Sequence, residues 1–239
     1  GAMSDYKETE NTELLKKTLV WISLGLILAY FITMGLSILP FVERGAVPKS
    51  LSKTAIFSGL ALNAFIWILL AVMYLPRAPF TKLKVSTLST KAKVLFTCYG
   101  LTFLALLFFS GVNFLLKEFL DYTPEIQDIA KTISTSTSKE IVLLILTPIT
   151  LIPIIEEILF RGLLYRSIKE HTRPIYAAIL SAAVFALVHM EPQAMPQLFV
   201  LALIFTYAYE KTGSLVVPAL LHASNNLLAV TVLLSSAPV

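Results

Sequence analysis

The sequence predicts an all-α polytopic membrane protein, about seven transmembrane helices around a buried polar centre. Three observations lead there. Of the 239 residues, 56% are hydrophobic and 14% charged, with a mean hydropathy of +0.79, whereas a soluble domain is about 25% charged. The apolar residues fall in runs long enough to cross a bilayer, since about 20 residues at about 1.5 Å each span a hydrocarbon core of roughly 30 Å. Within the last four runs the few polar groups recur at helical spacing, beginning in LIPIIEEILFRGLLYRSIKE at 151–170, where Glu156, Glu157 and Arg161 interrupt an oily stretch.

The elements follow in order. Gly1-Ala2-Met3 reads as the remnant of a cleaved tag, and 4–16, SDYKETENTELLK, as a polar tail, mobile or interfacial. Residues 1–16 thus precede a single transmembrane domain at 17–235. The first run, 19–42, is of spanning length and has no small-residue cleavage pattern after it, so it reads as a retained helix rather than a signal peptide. Further spans are expected at about 54–75 and 94–116, separated by the basic linker 76–93. The segment 118–139 is polar, with Leu120, Ile126, Ile129 and Ile133 at roughly helical spacing, and fits a short interfacial helix or a surface loop. The remaining spans are expected at about 140–169, 175–189, 194–210 and 214–234, with Pro192, Pro196 and Pro218 interrupting or bordering the last two. No repeat, low-complexity tract or second domain is evident.

Charge and cysteine usage exclude several classes. The net charge of +4 would make nucleic acid a partner for a soluble domain, but here Lys and Arg are dealt out between apolar runs, which fits lipid headgroups. Taking the tail and every second loop collects twelve of these residues, against six in the other loops. The positive-inside rule therefore places the chain in the cell membrane as a multi-pass protein, N-terminus cytoplasmic and C-terminus extracytoplasmic. The single cysteine, Cys98, excludes an internal disulfide and any cysteine-based metal cluster.

The polar centre is predicted from spacing. Glu157 and Arg161 are i,i+4 on one helix face and can offset each other's desolvation, which is also how two helices are locked together. Glu156 points about 100° away and has no local partner. His189 closes FALVH, four residues after Phe185, and His222 and Asn226 are i,i+4 in HASNN. Glu156 and His189 each lie 15 residues from the turn at 171–174, roughly 22 Å, and His222 and Asn226 lie roughly 13 to 20 Å beyond Gly213. Four such groups at one level each carry a burial cost that packing alone would avoid.

EEILFR, FALVH and HASNN, with YEKTGSLVVPALLH leading into the last, resemble the motifs of the membrane-embedded CAAX prenyl endopeptidase and bacteriocin-processing family, also called the CPBP or Abi family. The resemblance covers about residues 140–232. It implies an intramembrane endopeptidase that hydrolyses a peptide bond of a peptide or lipidated protein. On that resemblance Glu156 is the general base that activates water with His189, while His222 and Asn226 stabilise the charge developing on the scissile carbonyl oxygen. Glu157, Arg161 and Phe185 match supporting positions, with Glu157 and Arg161 mainly architectural. The substrates implied are prenylated C-terminal peptides, leader peptides of bacteriocins or signalling peptides, and, for immunity, bacteriocins themselves. Compact size and short loops point to a bacterial source, for which prenylated substrates are less expected.

The chemistry agrees with the residue types. Amide hydrolysis needs a base for water, donors aimed at the oxyanion and an acid for the leaving amine. A carboxylate can serve as base and then acid, and a carboxamide is an uncharged oxyanion donor. No cofactor is expected. Zinc is the alternative, because Glu156, His189 and His222 form the ligand set of many catalytic zinc sites, although no His-Glu-x-x-His helix is present. Two non-enzymatic alternatives remain at this stage: an immunity or peptide-binding membrane protein, and a small transporter in which Glu156 and His189 relay protons.

Overall fold

The computed structural model describes residues 2–42, 59, 61–69, 83–120 and 138–236. Among these the regular structure is entirely helical. Helix α1 runs Ala2–Val42 and α2 runs Leu88–Leu120. Helix α3, Ser138–Ile149, is followed after Thr150 by α4, Leu151–Glu157, a π-helix at Ile158–Tyr165, and the short α5, Arg166–Lys169. Three helices complete the order: α6, Pro174–Val188; α7, Met195–Thr212; and α8, Val216–Ser236.

The protein is an all-α membrane protein, as its composition predicts. Within α1 the stretch Thr9–Met34, and within α2 Leu88–Phe119, are long and apolar enough to cross a bilayer, yet only 22% and 11% of their apolar windows are buried. Their outward faces, including Trp21, Phe96, Phe103 and Phe119, are exposed, a surface suited to lipid rather than water. Helices α6 and α8 are shorter apolar helices. Residues 4–16, expected as a tail, are instead helical and continuous with the first span. Lys16 there pairs with Glu170 at 3.5 Å, which ties the start of α1 to the turn between α5 and α6. The expected span at 54–75 is helical where it is described, at 59 and 61–69. Most of the 118–139 segment lies outside the described residues.

Prolines mark starts rather than interruptions. Pro174 and Pro196 occupy the first turns of α6 and α7, where a missing N–H costs nothing because that group has no intrahelical partner. Pro148, inside α3, and Pro153, in the first turn of α4, flank the break at Thr150, which has φ −114° and ψ −69°; Pro148 removes one helical hydrogen bond. Gly213 ends α7 with φ +61°, and a Cβ there would lie 2.5 Å from the Lys84 carbonyl oxygen. The Ser86 amide donates to the Thr212 carbonyl at 2.9 Å, so the strap leading into α2 is stitched against this corner.

Two apolar clusters surround the polar groups. Leu19, Ile27 and Tyr30 of α1 pack against Ile155, Leu159, Leu163 and Phe160 together with Ala182 and Phe185 of α6. Cys98 of α2 joins Leu201, Phe205, Val217 and Leu221 in the second. The π-helix is buried along its whole length; wide turns of this kind are concentrated at functional sites.

Candidate active site

The last turn of α4 carries Glu156 and Glu157, 4% and 0% exposed. Arg161, one turn on in the π-helix, is 1% exposed. Its Nη1 donates to Glu157 Oε1 at 2.9 Å and its Nη2 to the Ala202 carbonyl of α7 at 3.0 Å. The guanidinium also lies over two rings, 4.9 Å from the centroid of Phe185 and 5.3 Å from that of Phe205, an arrangement that stabilises a desolvated cation. The i,i+4 pair expected from the sequence is therefore formed, and it does bind helices together.

Glu156 faces the other way and meets its partners across the fold. Its Oε2 is 3.6 Å from His222 Nε2 on α8 and 4.0 Å from His189 Nε2 at the end of α6. Both imidazoles are held from behind. His189 Nδ1 is 2.6 Å from the Phe185 carbonyl, and His222 Nδ1 is 2.9 Å from Glu157 Oε1. A carbonyl and an ionised carboxylate only accept, so each Nδ1 carries the hydrogen and each Nε2 is turned toward the same carboxylate oxygen. When both rings are neutral, three acceptors converge there. Such a cluster is complementary to a molecule with hydrogens to donate, such as water.

The Phe-x-x-x-His motif now has a physical content. The Phe185 carbonyl orients His189, and its ring packs against that imidazole at 4.7 Å, meets His222 edge-on at 5.8 Å and covers Arg161. Asn226 donates Nδ2–H to the Pro148 carbonyl at 2.9 Å, bracing α8 against the break between α3 and α4. Its second N–H has no hydrogen-bond partner among the described residues. Glu156, His189, His222 and Asn226 all line one cavity of about 280 Å³ whose remaining wall includes Ile152, Leu198 and Leu201. All four residues expected at a common level are thus brought together.

Sequence reasoning missed several contributors. Phe205 of α7 stacks on His222 with centroids 5.2 Å apart and planes 26° from parallel. Asn225 lines the cavity beside Asn226. Phe31 of α1 packs against the edge of His189 at 5.8 Å. None had a signal in the sequence: Phe205 and Phe31 are ordinary members of apolar runs, and Asn225 differs from any polar neighbour only by its orientation. The structure also alters the reading of Glu157, which touches a site imidazole directly.

As placed, the Glu156 oxygen stands farther from the two imidazole nitrogens than zinc ligands stand from one another. Ligand atoms about 2.0–2.1 Å from a tetrahedral zinc lie roughly 3.3 Å from one another, whereas the gaps here are 3.6 and 4.0 Å. Among the described residues no three His, Cys, Asp or Glu side chains are grouped for a metal ion.

Residues 138–228 match the model of the family described as type II CAAX prenyl endopeptidase, Rce1-like. The matched segment holds α3 through most of α8 and includes the three motifs from which the resemblance was drawn. The Bacillus subtilis (strain 168) protein YdiL, whose name proposes it as a membrane peptidase, is 28% identical over 74 residues, 31% of this chain. The matched part spans 30% of that relative's length. No solved structure matches the chain.

Proposed function

We propose that the protein is an intramembrane endopeptidase that hydrolyses a peptide bond with water activated by Glu156 and His189, without a metal. The observation that carries this reading is the single carboxylate oxygen of Glu156 facing two imidazole Nε2 atoms in one cavity. The family model that matches residues 138–228 and the name of the Bacillus relative support it.

The steps use groups in place. Water bound between Glu156 and His189 gives one proton to the Glu156 carboxylate as its oxygen attacks the scissile carbonyl carbon. The resulting oxyanion accepts from the free Asn226 N–H and from His222 Nε2 when that nitrogen carries a proton. Collapse breaks the C–N bond, and the proton on Glu156 passes to the leaving amine. Ile152, Leu198 and Leu201 favour an apolar substrate side chain next to the bond. The substrate class is a peptide or lipidated protein in the cell membrane, in bacteriocin or signal-peptide processing or immunity, with the chain's N-terminus in the cytoplasm.

The deciding experiment is a cleavage assay of the purified protein on a peptide library, with and without a strong zinc chelator. Activity that survives the chelator and disappears in Glu156→Ala is the expected result. Loss of activity to the chelator, restored by zinc alone, would replace the metal-free chemistry. Undiminished cleavage by Glu156→Ala would end the reading itself.

A further inference from the structure

The structure assigns Glu157, clamped by Arg161, the role of a positioning residue that sets which nitrogen of His222 faces the reaction. The activity arm of its test rests on the proposed endopeptidase; the geometric arm does not.

The argument begins with one oxygen. Glu157 Oε1 accepts both Arg161 Nη1–H and His222 Nδ1–H, each at 2.9 Å, while Oε2 has no partner among the described residues. A fully buried carboxylate that holds two donors on one oxygen has little freedom to rotate. Arg161 is itself immobilised by the Ala202 carbonyl and by the rings of Phe185 and Phe205. The clamp therefore runs from α7 through the π-helix to α4 and ends on His222 of α8.

The consequence falls on the imidazole. A neutral histidine chooses between two tautomers, and a fixed acceptor at one nitrogen decides the choice. With Glu157 taking Nδ1–H, Nε2 is directed to Glu156, and the stack with Phe205 prevents the ring from turning over. Glu157 also supplies the negative charge beside His222 when its Nε2 donates to an oxyanion, because the ring then carries both N–H groups. His189 differs, since its Nδ1 is held by a neutral carbonyl of its own helix. The two histidines are thus unequal, and His222 is the one backed by a charge, the relationship by which a buried carboxylate orients a catalytic histidine elsewhere.

The test uses histidine-labelled full-length protein in detergent micelles, with nitrogen-15 spectra assigned to His222 by its absence in His222→Gln. In the unsubstituted protein His222 is expected to show a protonated Nδ1 correlated with the Glu157 contact. An unprotonated Nδ1 overturns the proposal without any variant and regardless of whether a substrate is known. The paired substitution Glu157→Leu with Arg161→Leu removes both charges together, avoiding a lone buried ion. It is expected to give a mixture of the two His222 tautomers and to lower kcat on the order of 100-fold with KM changed less than about threefold. Glu157→Gln with Arg161→Gln returns a neutral acceptor and is expected to restore the tautomer and about a tenth of kcat. A folded double-leucine protein with an unchanged His222 spectrum, or with kcat within about threefold of the parent, sinks the assignment.

Discussion

Glu156 Oε2 stands 3.6 Å from His222 Nε2, and the two residues come from helices α4 and α8, between which the chain passes through the π-helix, α5, α6 and α7. Neither side chain has a local partner for this approach. The contact exists because α8 packs against α3 and α4, with Asn226 bonded to the Pro148 carbonyl just above it.

Glu156→Gln is expected to abolish cleavage, by at least about a thousandfold, because the amide cannot take the water proton. Stability should change little, since Arg161 is paired with Glu157 and not with Glu156. Cleavage rate and thermal unfolding of the purified variant check both halves. A rate near the parent's removes Glu156 as the base.

Arg161→Met should destabilise the fold by about 3–5 kcal/mol, the usual cost of leaving one partner of a buried pair without its counter-ion. The expectation follows from the 1% exposure of both side chains and the 2.9 Å contact. Unfolding in detergent measures it. A loss below about 1 kcal/mol would mean that the pair is solvated in the working protein.

Asn226→Ala removes two things at once, the brace to Pro148 and the free N–H in the cavity. Loss of an oxyanion donor costs about 10²–10³ in kcat. If the residue only braced the helices, KM and stability would shift while kcat held. Steady-state kinetics separates the two outcomes.

Gly213→Ala should cost about 1–3 kcal/mol, because it forces a side chain into a left-handed backbone and onto the Lys84 carbonyl. The polar cavity is formed by other residues, so the portion of protein that folds should cleave at the parent's rate. A melting temperature equal to the parent's contradicts the close approach.

The Glu157–Arg161 pair and the His222–Asn226 spacing were legible because helical periodicity alone puts i and i+4 on one face. Helix limits were less legible: Pro196, expected to interrupt or border a span, opens α7, as Pro174 opens α6, and Gly213 closes α7. Phe205 was not legible, because its stack on His222 depends on how α7 is rotated, and an apolar helix in a membrane has no polar face to announce that rotation.

The sequence by itself determined the all-helical membrane architecture and the set of chemically capable residues, since hydropathy and helical spacing are properties of neighbours along the chain. Only the tertiary structure decided that Glu156 faces both imidazoles and that Glu157 holds one of them. Those contacts join helices far apart in sequence, and their geometry is set by the packing of side chains such as Phe185 and Phe205 between them.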